Sequence, residues 1–487
     1  MIDQVRELLR TAGPVFAGSP GAAALERTVA RVEEPLRVAI AGKVKAGKST
    51  LLNALVGEKL APTDTNECTR IVTWYRDGGT YRVLVHPRDG SPSVQARFHR
   101  DDGAIEIDLD GRSPEDVDHL DVTWPSAGLR QTTLIDTPGI GSLSDHIAAR
   151  SFEFLDASDR DTPADAVIYL MRHVHGADLR LLESFHDTTV SLPNPVNAIG
   201  VLSRADEIGV GRLDAVGSAR RITNRYGTDP RMRRLVQVVV PVAGLLAETA
   251  ATLTEAEYRM LTALAAIDGT ELEPLLLSVD RFVQGNPETP LTSLEREQLL
   301  ARFGLFGVRL ALSMIRRAVV SSSQELADEL RARSGLVELR ELLSTLFLER
   351  AGVLKARSAL LALDRLCREH PGLPGVDQLA AEVEQMIASA HPFQELSTLA
   401  AVRSGVVRSR SAERLAELER LLGGTGGAAH RRLGLDADAD ADALRAAASE
   451  ALGRWQATAE SPMSDRDLVV ASQVAVRTLE GLLTGSS

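Results

Sequence analysis

The chain has 487 residues, 44% of them apolar and 4% aromatic, with a formal net charge of −12. That length allows two or three domains with a core built from Leu, Val, Ala and Ile. The acidic balance speaks against a broad sequence-independent nucleic-acid surface, and no nucleic-acid partner is expected. Two cysteines, Cys68 and Cys367, make a disulfide framework or a Cys-rich zinc site an unsuitable reading.

The elements follow in chain order. Met1-Ile2-Asp3-Gln4-Val5-Arg6 lacks the basic start and apolar core of a signal peptide. No run of consecutive apolar residues is long enough to span a bilayer, so a cytoplasmic protein is expected, with any contact to the inner face of the plasma membrane peripheral. Residues 2–34 alternate apolar and charged positions at helical spacing and break at Gly18-Ser19-Pro20-Gly21, which predicts two helices. Short Val- and Ile-rich runs at 37–41, 70–76, 81–86, 120–124, 132–136, 166–171, 197–202 and 236–242 predict strands. They alternate with helical patterns, so the sheet is expected to be mostly parallel with helices on both faces. The stretch 77–115, with its Asp-Gly turns, predicts hairpins beside that sheet. After about residue 245 the pattern is helical to the end. Its longest periodic run, 336–370, is closed by Pro371, Gly372, Pro374 and Gly375, and further breaks fall at 423–427 and in the acidic linker 435–442.

The most specific signal is Gly42-Lys43-Val44-Lys45-Ala46-Gly47-Lys48-Ser49, followed by Thr50. It lies between a predicted strand and a predicted helix and has the spacing of a phosphate-binding loop. Such a loop turns backbone N–H groups and the positive end of a helix toward a triphosphate. Lys48 is expected to reach the β- and γ-phosphates, and the Ser49 hydroxyl to ligate Mg²⁺. Asp136-Thr137-Pro138-Gly139 ends a later strand, which places Asp136 in the Mg²⁺ shell and the Gly139 N–H before the γ-phosphate. In the segment 61–70, Thr69 is the first choice to close over the metal, with Thr65 in reserve.

Ser203-Arg204-Ala205-Asp206 varies on the [NT]-K-x-D guanine signature. One carboxylate, Asp206, accepts both guanine donors, N1–H and N2–H₂; adenine has no such pair. Ser203 keeps a hydroxyl, Arg204 lays its stem over the base, and the Ala243 backbone N–H is expected to meet guanine O6. His173 and His175 have no spaced partners to complete a metal site.

These residues resemble those of the bacterial dynamin-like GTPases. The matching wording is Gly42 to Leu55, Thr69-Arg70, Asp136 to Gly139, Ser203 to Asp206, and Ser334-Gly335-Leu336 with Phe347-Leu348-Glu349-Arg350-Ala351. Ala61-Pro62-Thr63-Asp64 and Arg302-Phe303-Gly304-Leu305-Phe306-Gly307 are most similar to the mycobacterial isoniazid-inducible dynamin-like proteins. The resemblance implies an α/β P-loop GTPase domain plus an all-α neck and stalk. Neck helices would occupy 1–34, the GTPase domain 35–350 with a helical insertion at about 245–333, and the neck and stalk 351–487. It implies GTP hydrolysis to GDP coupled to membrane remodelling, with GTPase domains pairing with each other or with a related dynamin-like protein.

Eukaryotic dynamins carry Gln-Ser where this chain has Val44-Lys45. Val44 cannot orient water, so hydrolysis is expected to be slow unless dimerisation supplies the missing group. Lys45 is expected to replace a bound monovalent cation as a built-in counter-charge. For membrane contact the sequence offers Val402, Arg403, Val406, Val407, Arg408 and Arg410, apolar and basic without an acid. Two rival readings remain: a low-turnover nucleotide-dependent scaffold, and an RNA- or ribosome-associated GTPase.

Overall fold

The computed structural model describes residues 1–62, 71–101, 104–138, 164–172, 197–209, 212–284 and 289–485. Thr65, Cys68, Thr69, Gly139, His173 and His175 lie outside them.

Helices α1 (Ile2–Phe16) and α2 (Ala22–Glu33) open the chain and lead into β1 (Leu36–Gly42). Then follow α3 (Lys48–Val56), β2 (Val72–Asp77), β3 (Arg82–Pro87), β4 (Val94–Gln95), β5 (Arg97–Asp101), β6 (Ala104–Asp108), β7 (Val117–Trp124) and β8 (Thr132–Asp136). The last strands are β9 (Ala166–Met171), β10 (Ala198–Ser203) and β11 (Val239–Val242). Nine strands form one sheet in the order β11-β10-β9-β1-β8-β2-β7-β3-β4. Strands β11, β10, β9, β1 and β8 run parallel to one another, and β2 meets β8 antiparallel. β9 and β10 are buried at every position, as central strands covered on both faces must be. The hairpin expectation for 77–115 divides: β3 and β4 extend the sheet, while β5 and β6 pair apart from it.

Helices α4 (Ala215–Thr228) and α5 (Pro230–Arg233) lie between β10 and β11. After β11 come α6 (Gly244–Thr252), α7 (Glu255–Ala265), α8 (Gly269–Leu275), α9 (Val279–Gln284), α10 (Ser293–Arg316), α11 (Ser323–Arg333) and α12 (Leu336–Leu342). Helix α10 is long and apolar enough to cross a membrane, with a mean hydropathy of 1.4 over its best window. Its apolar side is spent elsewhere: Leu299, Phe303, Phe306, Val308 and Ala311 are buried in the core that covers one face of the sheet. The other face carries α3, α12 and Phe347.

The run 336–370 is not one helix. A π-turn at Leu343–Phe347 and a 3₁₀ turn at Leu348–Arg350 separate α12 from α13 (Ala351–Glu369). Periodicity could not show this, because both turns keep the apolar residues inward. Helices α14 (Val376–Ser389), α15 (His391–Ser404), α16 (Ala412–Leu421), α17 (Ala429–Leu433), α18 (Ala441–Glu460) and α19 (Arg466–Thr484) complete the chain. With α1, α2 and α13 they share a core of their own, containing Phe16, Leu363, Leu399, Trp455 and Leu479.

Among the described residues, ion pairs join this bundle to the sheet domain on two sides. Arg31 on α2 pairs with Asp165 at 2.8 Å, both nearly fully buried, and Asp165 also accepts the Arg37 amide. On the other side Glu419 of α16 accepts from Arg233 of α5 at 2.9 Å and from Arg403 of α15 at 2.7 Å. Arg350 donates to the carbonyls of Leu422 and Gly423, which end α16.

The loop 402–410 therefore departs from the membrane expectation. Val402 and Val407 are packed into the bundle core, and Arg403 is buried against Glu419. Val406, Arg408 and Arg410 remain exposed. One exposed valine does not make the apolar face that lipid insertion needs. The pattern looked amphipathic because its valines fill a helix end rather than a surface.

Candidate nucleotide site

β1 delivers the chain to the phosphate loop through Gly42. Its φ is 150°, and a Cβ there would lie 2.5 Å from the Leu170 carbonyl of β9, so only glycine fits. The Ala46 amide closes the loop on the Lys43 carbonyl at 3.1 Å. Gly47 then turns the chain into α3, whose first residue is Lys48.

Lys48 folds back along the loop, with Nζ 3.5 Å from the carbonyls of Gly42 and Lys43. Burial lowers its ammonium from the ordinary lysine value, and Asp136 partly offsets this. Among the described residues, its ammonium meets those two backbone carbonyls, while its side chain is half-buried. The Ser49 hydroxyl donates to Asp136 Oδ2 at 2.9 Å. Among the described residues, Asp136 Oδ1 is buried with no hydrogen-bond partner. Burial pushes the Asp136 carboxyl up, against the pull of Lys48 and Ser49. A hydroxyl and an orphaned carboxylate oxygen, side by side at the end of a helix that faces phosphate, are the hard donors that Mg²⁺ takes. The Thr137 hydroxyl fixes this strand end by donating to the Ile40 carbonyl at 2.9 Å.

The base end is built by β10 and β11. Ser203 donates to the Met171 carbonyl at 3.3 Å. Arg204 has φ of 53°, and this left-handed residue turns the chain into a 3₁₀ turn at Ala205–Glu207. Its guanidinium reaches the Lys45 carbonyl at 3.0 Å and Glu207 at 2.5 Å. Asp206 is buried, and burial raises its carboxyl, with Glu207 adding and Arg204 subtracting. A cavity of ≈160 Å³ opens beside it, lined among others by Ala46, Thr50, Leu170, Gly244 and Leu245. A larger cleft of ≈760 Å³ lies in the helical bundle between α13, α14, α15 and α19, away from these residues.

Thus Gly42, Lys43, Ala46, Gly47, Lys48, Ser49, Thr50 and Asp136 gather around one strand end, with Ser203, Arg204 and Asp206 alongside. Val44 and Lys45 are exposed on the outer rim of the loop, and Lys45 is left-handed with φ of 61°. The Ala243 expectation is corrected. Its amide donates to the Ser334 carbonyl at 2.8 Å and is already engaged. Gly244 and Leu245, which open α6 and line the cavity, offer helix N-terminal amides there instead.

Sequence reasoning passed over two residues. Asn53 on α3 is fully buried; its side chain accepts the amides of Leu60 and Ala61 and donates to the Ala61 carbonyl and to Glu248. An Asn on the inner side of an otherwise apolar helix was the available signal. Gly304 breaks α10 opposite Asp206.

The dynamin-family profile matches residues 38–178. The chain is 40% identical over 488 residues to the isoniazid-induced protein IniC of Mycobacterium tuberculosis, covering 99% of this chain and 98% of that one. A bacterial dynamin-like protein of Nostoc punctiforme is 30% identical over 157 residues, 28% of this chain and 23% of its own. Dynamin-like protein A of Bacillus subtilis is 31% identical over 179 residues, 36% of this chain and 14% of its own. Full-length similarity to IniC and a phosphate loop set in a mostly parallel sheet agree, and the chain belongs to the dynamin family.

Proposed function

We propose that this protein is a Mg²⁺-dependent GTPase whose nucleotide cycle moves the helical bundle relative to the sheet domain. The observation that carries it is the pairing of Ser49 with a half-satisfied, buried Asp136 beside Lys48. Ser49 and Asp136 would hold the metal, which supplies charge neutralisation at the β- and γ-oxygens. Lys48 stabilises the charge that grows there as the γ-phosphoryl leaves. The amides of Lys43 to Ser49 position the phosphates. Asp206 selects guanine, with Ser203 and Arg204 shaping the turn that carries it. Thr69 and Gly139 are assigned to sensing the γ-phosphate on their sequence positions.

The neck helices 1–34, the GTPase domain 35–350 and the bundle 351–487 are the parts we assign to this cycle. Self-association through the GTPase domain, or pairing with a related dynamin-like protein, would complete the site. Residence in the cytoplasm with a peripheral role at the membrane fits the same reading. GTP against ATP turnover across a protein-concentration series, with and without anionic liposomes, tests it. Turnover that is guanine-selective and rises with concentration supports it; equal or absent turnover of both nucleotides refutes it.

A second reading is a nucleotide-dependent scaffold of low turnover. Exposed Val44, with no polar group to orient water, favours it. Nucleotide-dependent self-association without phosphate release would select this reading.

A further inference from the structure

Helix α10 is two helices joined at Gly304, where φ is 60° and ψ is 169°. This region of backbone space belongs to glycine, because a Cβ clashes there. The backbone angles at Gly304 are not helical, so the segment 305–316 follows as a second helix, whose first amides have no partner within that helix.

The break has a neighbour in the nucleotide site. A methyl group built on Gly304 would lie 4.0 Å from Asp206 Oδ2 and 3.5 Å from the Leu245 side chain, and both of those residues line the ≈160 Å³ cavity. Asp206 is 9% exposed, and among the described residues its carboxylate accepts a hydrogen bond from its own backbone amide. A carboxylate that stays charged in such a place needs compensation, and a helix N-terminus supplies it.

The break is also held in position. Phe303 and Phe306, on either side of it, are buried in the core. Thr249 of α6 donates its hydroxyl to the Arg302 carbonyl. Arg302 in turn bonds Glu257 at 2.7 Å and the Thr252 carbonyl at 3.0 Å. Helix α6 begins at Gly244, on the cavity wall.

We propose that the Gly304 break is a base-specificity element: it seats the start of helix 305–316 behind Asp206 and keeps that carboxylate ionised and turned to the two donors of guanine. The helical insertion is thereby part of the base pocket. This rests on the assignment of Asp206 to guanine made above.

The test is calorimetric binding of GDP, IDP and ADP to the full chain in magnesium. IDP lacks the 2-amino group, so the GDP-to-IDP ratio isolates one of the two donors. Wild type is expected to prefer GDP to IDP by about tenfold or more, the worth of a hydrogen bond to a charged group. Gly304→Ala is expected to bring that ratio to within about threefold of unity, because a swung carboxylate loses the 2-amino contact first. A folded Gly304→Ala protein that loses GDP and IDP affinity in parallel, or keeps the full ratio, overturns the proposal. Should Gly304→Ala fail to fold, Thr249→Val decides, since it frees the break from α6 without forcing the backbone. A narrowed ratio supports the element, and an unchanged ratio refutes it. If wild type binds ADP as well as GDP, the guanine assignment itself falls, which is a separate outcome.

Discussion

Arg204 donates to the backbone carbonyl of Lys45 at 3.0 Å, so the turn that carries Asp206 is fastened to the phosphate loop. The bond joins two residues that are both left-handed, with φ of 53° and 61°. Each therefore holds the other in a conformation its side chain disfavours. On the proposed assignment, this bond ties the phosphate end of the site to its base end.

Replacing Arg204 by Ala should loosen both ends together. We expect GDP affinity to fall by about tenfold, or about 1.4 kcal/mol, with GTP affected equally. Titration with a fluorescent guanine nucleotide measures it. An unchanged affinity would mean the Lys45 carbonyl is held by the rest of the loop.

Asp136→Asn and Ser49→Ala remove opposite halves of the proposed metal pair. Each should cut GTP turnover by about a hundredfold or more, the usual scale for a charge-stabilising group. Magnesium should cease to improve nucleotide binding in both. Affinity for GDP measured in EDTA should change little. A variant that still responds to magnesium removes its residue from the metal shell.

Asp206→Asn reverses one of the two hydrogen-bond roles, because an amide offers a donor where the carboxylate had an acceptor. The expected outcome is weaker binding of GDP and stronger binding of XDP, whose 2-oxo group accepts. Competition between the two nucleotides reads this directly. Equal loss of both would show that Asp206 supports the turn and does not meet the base.

The Lys45 side chain stands exposed at the loop rim. As a built-in counter-charge it should make turnover indifferent to the choice of sodium, potassium or choline. Lys45→Ala should lower turnover and create a potassium requirement. A strong potassium requirement in the wild type would rule the role out.

The bundle has its own titration. Burial pushes the Glu395 carboxyl up, but bonds from His391, Arg432 and Thr478 outweigh that and bring it down to about 2 from 4.5. A lowered folded value means the contribution is fully present above about pH 4.5 and is lost as pH falls toward 2. Its size is on the order of 3 kcal/mol. Thermal unfolding between pH 6 and 3 should show a steep loss of stability in wild type. The slope should be shallower in Glu395→Gln, which starts less stable because Arg432 is left without its counter-ion.

The central strands and the phosphate loop were legible from sequence because their signals are local. A fully buried parallel strand is a short apolar run, and Gly42, Gly47, Lys48 and Ser49 are demanded by backbone geometry at fixed spacing. Asp136 ends such a run, and Asp206 lies in the turn just after one, so both could be placed from sequence. What failed was what depends on distant neighbours. The Ala243 amide is taken by Ser334, ninety-one positions downstream by chain and adjacent only in the fold. Val402, Arg403 and Val407 have the composition of a lipid contact, yet tertiary packing gives them a core and a buried counter-ion. The division of 336–370 was not legible because the π-turn and 3₁₀ turn carry no Gly or Pro to mark a break. Gly304 went unread because a glycine within a helical pattern signals a weak spot, and only the structure shows what the weak spot faces.

The carboxylate of Glu419 serves two masters of unequal need. Arg403 lies buried within the bundle and would be stranded if Glu419 left it, whereas Arg233 reaches in from the sheet domain and is 38% exposed, with water at hand. Any swing between the two bodies on that side will therefore part at Arg233, and the acid will travel with the bundle.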